Sequence, residues 1–162
     1  MSDDGTKSMA IVCWSNDLDR VWPTLILATT GAASGMDVNV FYTFWGLRAL
    51  QRSEKRVTGE NWMQKAESIV DRGGLEHLRL GKIHFGGMGT KMIKKLAKDY
   101  KVADPAELME MAMDLGVRMY PCQMTMDLYG LTKEDFIDGI EPSMGAASFL
   151  DMAADADIQL FI

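Results

Sequence analysis

The sequence predicts an α/β domain built on a mostly parallel sheet of about five strands, with helices on both faces. Three observations predict it. Short β-branched or aromatic runs recur along the chain, segments with helical spacing separate them, and the first strand–helix–strand passage is long enough for a right-handed parallel crossover.

Met9-Ala10-Ile11-Val12-Cys13-Trp14 is an apolar run ended by Ser15-Asn16-Asp17, which marks a buried strand and a turn. Val21 to Ser34 has apolar residues at helical spacing and stops near Gly35. Val38 to Thr43 is a second strand by its β-branched and aromatic content. Residues 52–81 break the pattern. They are charged at Arg52, Glu54, Lys55 and Arg56 and end in Gly73-Gly74 and Gly81, which predicts an excursion with a short helix near Asn61 to Val70.

Thr90 to Tyr100 is an amphipathic helix with Met92, Ile93, Leu96 and Ala97 inward. Asp104-Pro105-Ala106-Glu107 opens the next helix: Asp caps, Pro fits the first turn, and Glu favours the dipole. That helix runs to about Leu115 and stops at Gly116. Val117 to Tyr120 is a third strand leading into Cys122. A short helix follows from Gln123 to Tyr129, closed by Gly130, and Thr132 to Asp135 is a further helical turn. Ile137 to Ile140 is a short fourth strand, Ser143 to Ala154 a helix, and Ile158 to Ile162 the last strand. The whole of 1–162 is expected to form a single domain.

The chain carries 17 basic and 23 acidic residues, a net charge of −6, which fits a phosphate backbone poorly and argues against nucleic acid. Lys91, Lys94, Lys95 and Lys98 are spaced as one solvated helix face. Two cysteines 109 positions apart form no CxxC pair, no four-ligand zinc site and no disulfide scaffold, so a reducing compartment is expected. Met1 to Lys7 opens with acids and lacks the apolar stretch of a signal peptide, and Val21 to Ala33 is too short to span a bilayer. The expectation is a cytoplasmic protein that binds no membrane. His77 and His84, seven apart with no supporting carboxylates, lack a metal signature, and no metal or other cofactor is expected.

Cys122 stands where an apolar run ends and a helix begins. A thiol there meets unpaired backbone N–H groups and the positive end of a helix dipole, both of which favour the thiolate. The plainer explanation is a small buried hydrophobe. In a parallel sheet ligands bind beyond the carboxyl ends of the strands, which is where Cys122 and Cys13 fall. If the first and third strands are neighbours, the two sulfurs lie on the same side. Cys13, inside an apolar strand, is otherwise a packed core residue. Asp17, Asp19 and Arg20 share the ligand end, although helix capping explains Asp17 or Asp19 equally well.

Gly86-Gly87-Met88-Gly89-Thr90-Lys91 resembles a phosphate loop, but it fails both the Walker spacing and the dinucleotide fingerprint. What remains is a loop whose backbone can approach a ligand, or a plain turn into a helix. Eight of the fourteen methionines fall between Met88 and Met126, as a compliant core or as a soft surface around the thiol.

Four blocks together are similar to the DsrE/DsrF-like family: Phe41-Tyr42-Thr43-Phe44-Trp45-Gly46-Leu47, Gly87-Met88-Gly89-Thr90-Lys91-Met92, Cys122-Gln123-Met124-Thr125-Met126-Asp127 and the terminal Phe161-Ile162. More narrowly, they look like its branch often labelled a peroxiredoxin family protein, although the true peroxiredoxin cysteine pattern is not present. The resemblance runs over essentially the whole chain. It implies a flavodoxin-like three-layer α/β/α sandwich, a homo-oligomer and a role in sulfur trafficking. Cys122 would hold sulfane sulfur as a persulfide and exchange it with a TusA-type sulfur-carrier protein or another thiol protein, as a carrier or as a sulfurtransferase. Gly87, Met88, Gly89 and Thr90 would border the pocket with Gln123, Met124, Cys13 and Asp17.

Two other functions remain open on the residues alone. One is a non-catalytic module binding a small ligand or anion. The other is a thiol redox enzyme pairing Cys122 with Cys13, which needs Cα atoms within roughly 7 Å. An oligomeric scaffold without small-molecule chemistry is a further alternative.

Overall fold

The computed structural model describes residues 5–54, 57–82 and 85–162. The acidic opening Met1 to Asp4, Lys55, Arg56 and His84 lie outside the described residues. Four parallel strands form the sheet: β1 (Ser8–Cys13), β2 (Asp37–Tyr42), β3 (Arg118–Pro121) and β4 (Ile158–Phe161), in the order β3-β2-β1-β4. The helices are α1 (Leu18–Ala33), α2 (Trp62–Val70), α3 (Met88–Asp99), α4 (Pro105–Asp114), α5 (Gln123–Tyr129) and α6 (Ala146–Ala154).

Strand parity sorts the side chains onto two faces. Met9, Ile11 and Cys13 of β1, Val38, Val40 and Tyr42 of β2, and Met119 of β3 face the main core. There they meet Leu18, Val21, Leu25 and Ala28 of α1 and Leu108, Met109 and Ala112 of α4. The opposite residues Ala10 and Phe41 face α6, where Phe41 and Phe149 stack with centroids 4.7 Å apart. Helix, sheet and helix layers therefore enclose two cores, and the α1/α4 side is the thicker.

The sheet has four strands where five are expected. Ile137 to Ile140 forms no strand. Phe136 makes a single antiparallel bridge to Gln51, and the Ile137 N–H donates to the Leu50 carbonyl at 2.9 Å. The chain then runs along the outer side of β3, where Glu141 N–H donates to Met119 O and Met144 N–H to Pro121 O, both at 3.0 Å. The backbone demand that a fifth strand would meet is met by this strap. A second difference lies between β2 and the excursion, where Phe44–Leu50 winds as a 3-10 helix.

Local signals explain most element ends. Asp104 accepts from the Ala106 and Glu107 N–H groups, and Glu107 returns a bond to the Asp104 N–H, closing a capping box ahead of Pro105. Asn61 and Gln64 do the same for α2. The excursion is anchored at several points. Asn16 Nδ2 donates to both Asp71 oxygens at 3.0 Å, Gln64 Nε2 to Leu128 O at 3.1 Å, and Gly74 N–H to Arg48 O at 2.9 Å. Beneath it Arg48, 1% exposed, pairs with Glu67, donates to Gln51 Oε1 at 3.0 Å and lies 4.6 Å from the Tyr129 ring centroid.

The 3-10 segment passes hard against the end of β1. Gly46 N–H donates to Trp14 O at 2.9 Å, and a Cβ at Gly46 would overlap the Cys13 carbonyl. Backbone atoms cannot yield as a side chain does, so Gly46→Ala is expected to cost about 3 kcal/mol or to prevent folding. A urea midpoint close to that of the unaltered chain would disprove this close approach.

Candidate functional site

Pro121 ends β3 with a fixed φ, and Gly130, at φ 63, closes α5 after seven residues. Between them Cys122 is the N-cap of α5, in extended conformation at φ −71 and ψ 118. Its N–H still donates to Tyr42 O at 3.0 Å, which continues the β2–β3 ladder by one step. That step puts Thr43 and Cys122 in one row, and parity points both to the α6 face of the sheet.

The hydroxyls of Thr125 and Thr43 and the backbone N–H groups of Thr125 and Met124 lie on the side of Cys122 and favour its thiolate. The two hydroxyl oxygens are 3.3 Å apart. Thr125 Oγ1 also accepts from the Phe44 N–H at 3.1 Å, which leaves the hydroxyl's own proton for Thr43 Oγ1 or the sulfur. Phe44 holds a left-handed backbone at φ 50, an arrangement that costs a non-glycine residue about 1–2 kcal/mol. It is held there by Thr125 and by ring contacts to Trp45 and Tyr129 at 5.0 and 6.3 Å.

Burial is the largest single influence on Cys122 and pushes its pKa up. The Thr125 and Thr43 hydroxyls and the Thr125 and Met124 N–H groups together outweigh burial, and the pKa falls below the ordinary thiol value of 9.0. Neutral dipoles alone make this shift among the described residues. The residue is 5% exposed and belongs to the α6-side core with Phe41 and Phe149, while nearby Met124 at 76% and Phe44 at 45% are open to solvent. Gln123 turns away from the sulfur: its amide nitrogen donates to Asp127 Oδ1 at 2.7 Å, and its oxygen accepts from the Ser143 hydroxyl. With the Gln123 N–H on Met144 O at 3.1 Å, it latches α5 to the strap beside β3.

Cys13 is placed differently. β2 lies between β1 and β3, so the expected neighbourhood of the first and third strands does not occur. Two strand spacings separate the cysteines by roughly 9–10 Å, beyond the reach of a disulfide at about 7 Å. Parity also sends them to opposite faces. Cys13 is 0% exposed in the α1/α4 core, with Sγ 3.5 Å from Ser15 O. Burial pushes its pKa up to about 11, against smaller lowering by Thr24 and Ser15. Iodoacetamide at neutral pH is therefore expected to label Cys122 in the folded chain and Cys13 only after denaturation. Peptide mass mapping checks the order.

Asp17 starts α1 with its carbonyl, accepting from Arg20 and Val21 N–H at 2.9 Å, and lies against the Arg79–Gly81 segment. It lines a shallow cleft of about 370 Å³ with Trp14, Ser15, Asn16, Trp45 and Asp71, at the β1 end of the sheet. The glycine loop belongs to the same side. Thr90 Oγ1 accepts from Leu80 N–H at 3.2 Å, and Gly81 N–H donates to Asp19 at 2.8 Å, which ties the start of α3 to the start of α1. Gly87 and Met88 face outward, with open space beside Gly87 and Met88 72% exposed, while Gly89 and Thr90 are buried. Thr43, Phe44 and Thr125 stand beside Cys122 in addition to the residues that the sequence singles out. The parity of Thr43 with Cys122 is the signal that finds the first of these.

Among the described residues no group of three or more His, Cys, Asp or Glu is placed to hold a metal ion. No described helix is long and apolar enough to cross a membrane.

Comparison with known proteins gives a consistent result. Residues 5–161 match the model of the DsrE/DsrF/DrsH-like family. The chain is 38% identical over 159 residues to the sulfur carrier protein DsrE2 of Allochromatium vinosum, covering 96% of this chain and 98% of that protein. It is 36% identical over 157 residues to the uncharacterized protein YrkE of Bacillus subtilis, covering 97% and 98%. Among solved structures, the ychN protein of E. coli superposes with a TM-score of 0.60 at 15% identity, over 97% of this chain and 100% of that one. Matched along nearly its whole length in sequence, and alike in its layered α/β fold, the chain belongs to the DsrE/DsrF/DrsH-like family.

Proposed function

We propose that this chain is a sulfur-relay protein that carries sulfane sulfur as a persulfide on Cys122 and exchanges it with a thiol protein, such as a TusA-type sulfur carrier. Membership of the family and 38% identity to a protein named as a sulfur carrier support the role. The observation that carries it to one residue is a nearly buried thiol at the N-cap of α5, whose pKa is lowered by neighbouring hydroxyl and N–H groups. Such a site holds a thiolate, and equally the terminal anion of a persulfide, without a second cysteine to expel the sulfur as a disulfide. The separation of Cys13 and Cys122 weighs against the redox-pair alternative.

The proposal includes assembly of identical subunits, supported by the apolar side chains of Leu150 and Phe161, which stand 65% and 73% exposed. Incubation with cysteine persulfide followed by peptide mass spectrometry tests the core of the reading. One added sulfur on Cys122, absent in Cys122→Ser and removed by a second thiol, is the expected result. A folded chain whose Cys122 never gains sulfur overturns it.

A further inference from the structure

α3 turns much of its apolar surface to solvent. The spacing predicts Met92, Ile93, Leu96 and Ala97 inward, yet only Ile93 and Ala97 pack on the main core. Met88, Met92 and Leu96, four apart and so on one face, are 72%, 61% and 51% exposed. At about 100° per residue, Lys91 and Lys95 form a second row directly beside them. The outward side of α3 is therefore divided lengthwise into an apolar row and a cationic row. Lys94 and Lys98 face elsewhere, into a cleft they share with Glu76, Asp104 and Glu107. α6 is divided in the same way with the opposite charge. Phe149 and Ala153 are buried with Ala10 and Phe41, which turns Ala147, Leu150 and Ala154 outward in one row and Asp151 and Asp155 in the next. Among the described residues Lys91, Lys95, Asp151 and Asp155 form no ion pair within the chain. The two helices cannot meet inside one chain, because α3 packs on the α1/α4 core and α6 on the opposite face of the sheet.

We infer, resting on the assembly of identical subunits proposed above, that α3 of one copy docks against α6 of a second copy. With the two helices parallel, the apolar rows face each other and the lysine row lies beside the acidic row, as flanking charges do in parallel coiled coils. The large side chains of Met88, Met92 and Leu96 fit over the small Ala147 and Ala154 on either side of Leu150. Lys91 and Lys95 repeat at the same four-residue interval as Asp151 and Asp155, about 6 Å along each helix, so both ion pairs form in one register. Charge is segregated along the chain accordingly. Residues 88–99 hold four lysines and one acid in a chain of net charge −6, whereas residues 146–157 hold three acids and no base. Because two different surfaces meet, the contact is heterologous, and copies join head to tail into a ring or an open chain.

Size-exclusion chromatography with light scattering reads the contact. The unaltered chain is expected to elute as an assembly of several subunits that loosens in high salt. Reversing one row, as Lys91→Glu with Lys95→Glu or as Asp151→Lys with Asp155→Lys, is expected to raise the dissociation constant at least about tenfold. All four residues are exposed, so the subunit keeps its fold, which circular dichroism checks. The chain carrying all four changes is expected to assemble again, a rescue that the two rows supply only if they meet. Unchanged assembly in both single-row variants, or no rescue in the combined chain, overturns this contact and leaves assembly through another surface standing. An unaltered chain that stays monomeric overturns the contact and the assembly together, and leaves the α3 face to a different partner. Neither face includes Cys122, so sulfur loading of that residue is judged apart from all of these results.

Discussion

Thr125→Val is expected to raise the Cys122 pKa by about one to two pH units and to slow its alkylation at neutral pH roughly 10–100-fold. A hydrogen bond to a charged group contributes about 1.5–3 kcal/mol, and about 1.4 kcal/mol corresponds to one pH unit. Valine keeps the volume of threonine, so the buried position stays filled, while the sulfur loses a hydroxyl donor and the Phe44 N–H loses its acceptor. Thr125→Ser should restore most of the reactivity, which a merely structural role for the methyl group would not allow. The linked effect on stability has a definite sign. The folded chain deprotonates Cys122 more readily than the unfolded chain, so this contribution is absent below the folded pKa. It grows as the pH rises and is complete above about 9, the unfolded value. Cys13 acts oppositely: its contribution is complete below about 9 and is lost as the pH rises through about 11. The pH dependence of the Cys122 alkylation rate measures its pKa in the folded chain, and urea unfolding at several pH values measures both linked contributions to stability. An unchanged Cys122 profile in Thr125→Val would remove the hydroxyl from any role in activation.

Glu67→Ala is expected to destabilise the chain by about 3 kcal/mol, because removal of one partner leaves the other charge buried. The Arg48 side chain is 2% exposed and the Glu67 side chain 26%, so solvent cannot replace the lost carboxylate. Burial already pulls the Arg48 pKa down, and the nearby charge of Asp71 opposes that pull, which places the expected cost at the lower end for such a change. The double variant Arg48→Met with Glu67→Leu should recover most of the loss, since both charges are then gone together. Urea unfolding of the three chains distinguishes this pair from an ordinary surface bridge, for which a difference below about 1 kcal/mol is expected.

The local signals in the sequence carried much of this structure. Asp104, Asn61 and Gly130 mark helix ends by their own side-chain and backbone chemistry, and α5 runs over the residues expected from the spacing alone. The junction at Cys122 was legible for the same reason. Strand order was not, because the apolar runs of β1, β2 and β3 look alike and their adjacency depends on long crossovers. Ile137 to Ile140 has strand composition, yet the Ile137 N–H pairs with the Leu50 carbonyl, and it is the following strap that bonds to β3. The glycine loop's place beside α1 depends on bonds to Leu80 and from Gly81 to Asp19 that its own composition does not announce. Thr43 and Thr125 escaped notice because they are 82 residues apart, and each alone is an ordinary hydroxyl.

The strap of residues 141–144 has a consequence for how other molecules can meet this protein. By occupying the outward hydrogen-bonding groups of Met119 and Pro121, it seals the sheet on the side nearest the thiol. An extended peptide seeking an exposed strand would find its ladder already taken there, and Pro121 offers no N–H in any case. Recognition by strand addition is thereby directed to β4, on the far side of the molecule. A visitor to Cys122 must instead be read by its shape and its apolar contacts over α5. The same short segment therefore closes the edge of β3 beside the thiol to pairing with an extended chain.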